Sequence, residues 1–146
     1  MRVLLPALAL AAAVTGCAGG GERLSREEFV DQATAICSRA EERVGALAQP
    51  ESIEEVETYA REARAITEEG VTDLRELDPP EELEEGFDSY LEQADEVVAL
   101  LGELERSAAA GDEAEARRIS GRIADAADAQ AAARAAGIPE CEEAAT

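Results

Sequence analysis

Three cysteines, Cys17, Cys37 and Cys141, and two tyrosines, Tyr59 and Tyr90, are the chemically versatile residues of this 146-residue chain, which contains no histidine. Without histidine the commonest general base and the commonest transition-metal ligand are both missing, and histidine-dependent triads are impossible. Neither Cys37 nor Cys141 stands in a Cys-x-x-Cys pair or directly beside a basic residue that would favour its thiolate, which argues against a redox-active pair. No Gly-x-Ser-x-Gly elbow, phosphate-cradling glycine loop or calcium-loop pattern appears. The 34 acidic residues guarantee that carboxylates meet somewhere, so paired glutamates alone do not point to acid–base work. A non-enzymatic protein that needs no cofactor or metal is the expectation. Two binding readings stand beside it: a cation-binding patch around "PPEELEEGFD", and a ligand pocket between helices near Tyr59, Tyr90 or Gln130. Against the second, tyrosines at helical spacing are commonly core residues with a wet hydroxyl.

Cys17 closes the N-terminal stretch "MRVLLPALALAAAVTGC", which has one positive charge at Arg2, a short apolar run, then small residues. That is the layout of a secretory signal, and its apolar part is shorter than the roughly 20 residues a membrane-spanning helix needs. Val14, Thr15, Gly16 and Cys17 resemble the lipobox of bacterial lipoproteins. The resemblance implies cleavage after residue 16, a diacylglyceryl group on the Cys17 sulfur, and N-acylation with a chain such as palmitate. Two or three acyl chains, at about 0.8 kcal/mol per buried methylene, hold a soluble domain stably on a membrane where one does not. The alternative is a plain secretory signal with a cysteine near its cleavage site. Residues 17–23, with Gly19, Gly20 and Gly21, read as a flexible tether.

Lipidation would consume Cys17 and leave Cys37 and Cys141 as an even pair in a compartment outside the reducing cytoplasm, so a disulfide is expected. In the chain-entropy model, closing so long a loop stabilises by up to about 4.7 kcal/mol. The competing reading makes Cys37 a small buried apolar residue.

The elements that must carry these residues are helices. Four long segments repeat apolar residues at helical spacing, and none alternates as a half-buried strand would. The first opens at Ser25, where Ser25 and Glu28 fit a capping box and Leu24 with Phe29 a hydrophobic staple. Its stripe is Phe29, Ala33, Ile36, Cys37, Ala40, Val44 and Leu47, and Gln49 with Pro50 ends it. The second starts at Ser52, with Glu55 completing a box, and carries Val56, Tyr59, Ala60, Ala63, Ile66, Gly70, Leu74 and Leu77. In "LDPPEEL", Asp78 reads as the next cap and Pro79 as a first-turn proline. The third stripe is Leu83, Phe87, Tyr90, Ala94, Val97, Leu101, Leu104 and Ala108, and Gly111 suits a left-handed stop. Asp112 with Glu115 caps the fourth, expected to run to about Ala136 with Ala116, Ile119, Ile123, Ala126, Gln130 and Ala133 inward, before Gly137 and Pro139. Its small inward residues bury little area, so a Cys37–Cys141 bond would lock it onto the first helix.

Short links between long helices predict an all-α, up-down four-helix bundle over residues 24–141, followed by a disordered tail at 142–146. An elongated three-helix arrangement is the runner-up. Glutamate pairs at Glu27, Glu41, Glu54, Glu68 and Glu81 recur every 13 or 14 residues without matching surroundings, as solvent-facing heptads do. No stripe carries Asp or Glu, so the acids read as solvated faces.

The net charge of −21, with all 13 basic residues arginine, makes nucleic acid an unsuitable partner, because affinity for phosphate rests on cationic side chains. Anionic headgroups should repel the domain as well, so acyl chains rather than charge must do any anchoring. The arginine-only, alanine-rich usage looks like that of a GC-rich genome.

"LSREEFVDQATAICSRAEERV", "LRELDPPEEL", "AAAGD" and "AAGIPEC" together resemble a group of uncharacterised secreted and lipid-anchored helical proteins of actinobacteria. The resemblance spans nearly all of residues 24–141 and implies the fold, export and a cysteine pair, but no activity. The expected protein is thus a lipid-anchored, extracytoplasmic interaction or binding module at the cell membrane, its partner an envelope protein or a small ligand. The alternative is an acidic lipoprotein that carries cations or a small ligand.

Overall fold

A computed structural model of the chain describes residues 23–127, 130–139 and 141, with the backbone alone at 127, 130 and 131. The expected leader (1–16), the lipidation site Cys17 with its tether up to residue 22, and the tail (142–146) lie outside the described residues. Within them the fold is all-α, held by a Cys37–Cys141 disulfide that closes a sequence separation of 104.

Helix α1 (Arg26–Gly45) begins as its sequence dictates: the Ser25 hydroxyl accepts from the Glu28 amide at 3.3 Å, and Glu28 accepts from the Ser25 amide at 3.1 Å. The hydrogen bonds from the Ser25 side chain and backbone hold the Glu28 carboxyl below the usual carboxylate range. Leu24 packs on the cluster that contains Phe29, as the staple requires. The helix ends at Gly45, before Gln49 and Pro50, because glycine weakens the last turn.

Helix α2 (Ile53–Arg75) is capped by Ser52, which accepts from the Glu55 amide, but the box is only half made. The Glu55 carboxylate accepts instead from the Glu51 amide at 2.7 Å.

The expected cap at Asp78 is not formed. A single 3-10 turn, Glu81–Leu83, leads into α3 (Glu84–Ala109), and Pro80 rather than Asp78 precedes it, with no side-chain cap. A residue before proline is pushed out of the helical region, so Pro79 and Pro80 together keep residues 78 and 79 extended. The Asp78 carbonyl accepts from the Leu24 amide at 2.9 Å and fastens this link to the start of α1.

Gly111, at φ 71°, ends α3. Asp112 then accepts from the Glu115 amide at 3.0 Å to start α4 (Glu113–Ala127). The Glu115 carboxylate turns to Arg118, whose hydrogen bond lowers its pKa.

The span expected for a fourth helix holds α4 and a short α5 (Gln130–Ala135) among the described residues. At its end Gly137 takes φ 75°, and the amides of Gly137 and Ile138 donate back to Arg134 and Ala133 at 3.1 and 2.9 Å. This left-handed stop, which favours glycine, turns the chain so that Ile138 and Cys141 are buried.

Consecutive long helices run antiparallel. Ion pairs fix the sense: Arg39–Asp73 and Arg43–Glu69 between α1 and α2, Arg75–Asp95 and Arg64–Glu105 between α2 and α3, and Arg122–Glu103 between α3 and α4. These pairs are substantially exposed and contribute little net stability. Stability resides in two cores. At the cystine end, Phe29, Ala33, Ile36 and Cys37 of α1 meet Leu74, Leu83, Phe87, Ala136, Ile138 and Cys141. Phe29 and Phe87 stack edge to face with centroids 5.0 Å apart. At the far end, Ala60 of α2, Leu100 and Leu104 of α3, and Ala116 and Ile119 of α4 form a smaller cluster.

Candidate functional site

Between the two cores the inward stripes open. Along α3 and the turn before it, Leu83 and Phe87 are buried at one end and Leu101, Leu104 and Ala108 at the other, while Tyr90, Ala94 and Val97 between them are half-buried. Helices α1 and α4 show the same change: Phe29 to Cys37 are buried and Ala40 and Val44 are not fully so, and Ala116 and Ile119 give way to Ile123 and Ala126. These half-buried residues face a common groove of about 400 Å³ floored by Ala63, Gly70 and Leu74 of α2. From Tyr90 to Leu104 it follows α3 for about 20 Å at 1.5 Å per residue.

Side-chain size causes the gap. At this level the stripes supply Ala40, Gly70, Ala94 and Ala126, which leave the space between four helix axes unfilled. Among the described residues, extended seams join α1 to α2, α2 to α3, α3 to α4 and α3 to α5, with no such seam from α1 to α4. The groove opens between those two helices.

Few polar atoms face it. The Thr67 and Ser120 hydroxyls donate to their own helices, to the carbonyls of Ala63 at 2.9 Å and Ala116 at 3.0 Å. The Tyr90 hydroxyl lies 3.8 Å from the Cys37 sulfur. A disulfide sulfur has no proton, so the phenol is the donor. Burial raises the pKa of Tyr90 above the ordinary tyrosine value. Among the described residues no hydrogen bond engages the Tyr59 hydroxyl or the Gln93 amide, both of which line the groove. Glu41 is the single charged residue on the described lining.

No family model, curated protein or solved structure matches this chain. An apolar trough with a few polar atoms suits a hydrophobic ligand, each methylene of which gains about 0.8 kcal/mol on leaving water.

Of the residues singled out in the sequence, Cys37 and Cys141 are brought together, and their bridge forms one end of the groove wall. Tyr59 and Tyr90 both line it. The Gln130 side chain and Cys17 lie outside the described residues. The acidic stretch "PPEELEEGFD" keeps Glu81, Glu82, Glu84, Glu85 and Asp88 exposed, with Glu84 paired to Arg23 at 2.8 Å. Among the described residues no group of acidic or cysteine side chains is gathered as a metal site, and no helix is long and apolar enough to cross a membrane.

Sequence reading missed Glu41, Ala40, Val44 and Ala126 as groove residues. No single stripe marks them: Ala40, Gly70, Ala94 and Ala126 each stand between larger stripe residues.

Proposed function

We propose that this chain is a lipid-anchored, non-catalytic binding module on the extracytoplasmic face of the cytoplasmic membrane, and that its groove holds a small hydrophobic ligand. In this reading α4 and α5 together make the last arm of an up-down four-helix bundle. Cys17, through its lipobox-like setting, carries the anchor. The observation that supports ligand binding is the groove itself: an apolar cleft of about 400 Å³, within the size range of small-molecule sites, opens between two closed cores. A purely structural scaffold would have closed it.

Nile red, a neutral dye that brightens in apolar surroundings, tests the reading. It should bind the wild-type domain, and the filled variant Ala94→Leu/Ala126→Leu should lose the signal while keeping its helical circular dichroism and its melting transition. Equal dye fluorescence in the two proteins would refute the groove as the site. The anchor is tested separately by mass spectrometry of the mature N-terminus from cells, where a diacylglyceryl-modified Cys17 is expected and a free thiol there would refute it.

A further inference from the structure

The shape and charge of the groove narrow the ligand class, granted that the groove is a binding site. A volume of about 400 Å³ spread over about 20 Å makes a long, narrow trough that suits one extended hydrocarbon chain better than two chains abreast. The ion pairs between α1 and α2 and between α2 and α3 set Glu41 level with about residue 99 of α3, so from Glu41 to Tyr90 the groove offers about 13 Å to a chain.

Electrostatics then select the head. None of the arginines is on the described lining, where Glu41 is the only charge. Arg39 and Arg43, which flank Glu41 on α1, are drawn off to Asp73 and Glu69 on the seam with α2. No ion pair engages the Glu41 carboxylate among the described residues, and it is exposed on the groove's rim, one turn before α1 ends. The net charge of −21 repels an anionic head from every side.

We infer that the groove binds a single-chain amphiphile with a positively charged head, its chain laid along α3 and its ammonium group at the Glu41 carboxylate. The test uses three probes that share one chain and differ in head: decyltrimethylammonium, decanol and decanoate, each below its micelle concentration, displacing Nile red from the full chain. Decyltrimethylammonium should bind about fivefold or more tightly than decanol, and decanoate most weakly. The Glu41→Gln variant should lose most of the preference for the ammonium probe and keep its affinity for decanol. Decanoate bound as tightly as the ammonium probe, or an unchanged preference in Glu41→Gln, would overturn the cationic assignment while leaving the groove reading intact. If none of the three displaces the dye, the groove reading falls and this assignment with it.

Discussion

The cystine end and the waist of this molecule are built from the same four inward stripes, yet one is closed and the other open. At the cystine end the stripes present Phe29, Phe87, Leu83 and Ile138, all buried, and a disulfide ties the last described residue, Cys141, to α1. A few turns along, the same helices present Ala40, Gly70, Ala94 and Ala126 and leave a groove. Periodicity decides which face of a helix turns inward; the volume of the side chains at each level decides whether that face finds anything to touch. A bundle can therefore keep one continuous apolar stripe per helix and still carry a ligand-sized gap, provided another level supplies the stability.

The largest effect should come from opening the disulfide. Its bridge closes a separation of 104 residues and lies in the closed core, with Cys37 and Cys141 both buried. Reduction, or the double change Cys37→Ala/Cys141→Ala, should cost on the order of 4 kcal/mol, near the ~4.7 kcal/mol ceiling of the loop-entropy model. Chemical denaturation with and without reductant reads this directly. Coincident curves would show that the cystine end is closed by packing alone.

Two glycines make the sharper comparison. At Gly86, in the closed end, a Cβ would run into the Ala135 carbonyl and sit 2.8 Å from the Ala136 nitrogen, so α3 can approach the end of α5 only if no side chain stands there. Gly70 lines the groove, and a Cβ there would meet the Ala40 methyl at an ordinary 3.5 Å. Gly86→Ala should destabilise by about 1–3 kcal/mol through backbone displacement. Gly70→Ala should stabilise by up to about 1 kcal/mol, because alanine replaces glycine inside a helix at no steric cost. Opposite signs in the two denaturation midpoints are the expected outcome, and equal losses would mean that the waist is as tightly packed as the end.

Much of this was legible in the sequence. The capping residues Ser25, Ser52 and Asp112, the stops at Gly111 and Gly137, the four stripes and the Cys37–Cys141 pair all follow from local stereochemistry or from counting thiols, and local rules survive folding. Asp78 failed as a cap because two successive prolines overrode it. The groove was legible only in its tyrosines. Its existence depends on how far apart α1 and α4 stand, a distance fixed by what the other helices bury and by where α1 stops, and no single stripe records it. Gly86 was silent for the same reason: its role depends on the Ala135 backbone, which lies far away in sequence.

Tyr90 stands where the closed end meets the groove, and its titration reports how dry that junction is. Burial disfavours the phenolate, so the folded-state pKa lies above the ordinary value of about 10. The unfolded chain, with the ordinary value, releases the phenol proton first as pH rises. The stabilisation associated with Tyr90 is therefore complete below about pH 10 and is lost as pH climbs through the folded-state pKa. The chain has only two tyrosines, so in Tyr59→Phe the phenolate absorbance belongs to Tyr90 alone. Its midpoint should lie above that of the same variant unfolded in denaturant. Adding an apolar groove ligand should move it further up, because the ligand displaces water from the groove that Tyr90 lines. A midpoint equal to the unfolded one would mean that water reaches the Cys37–Tyr90 contact, and that the boundary between the closed core and the groove lies deeper, toward Phe87.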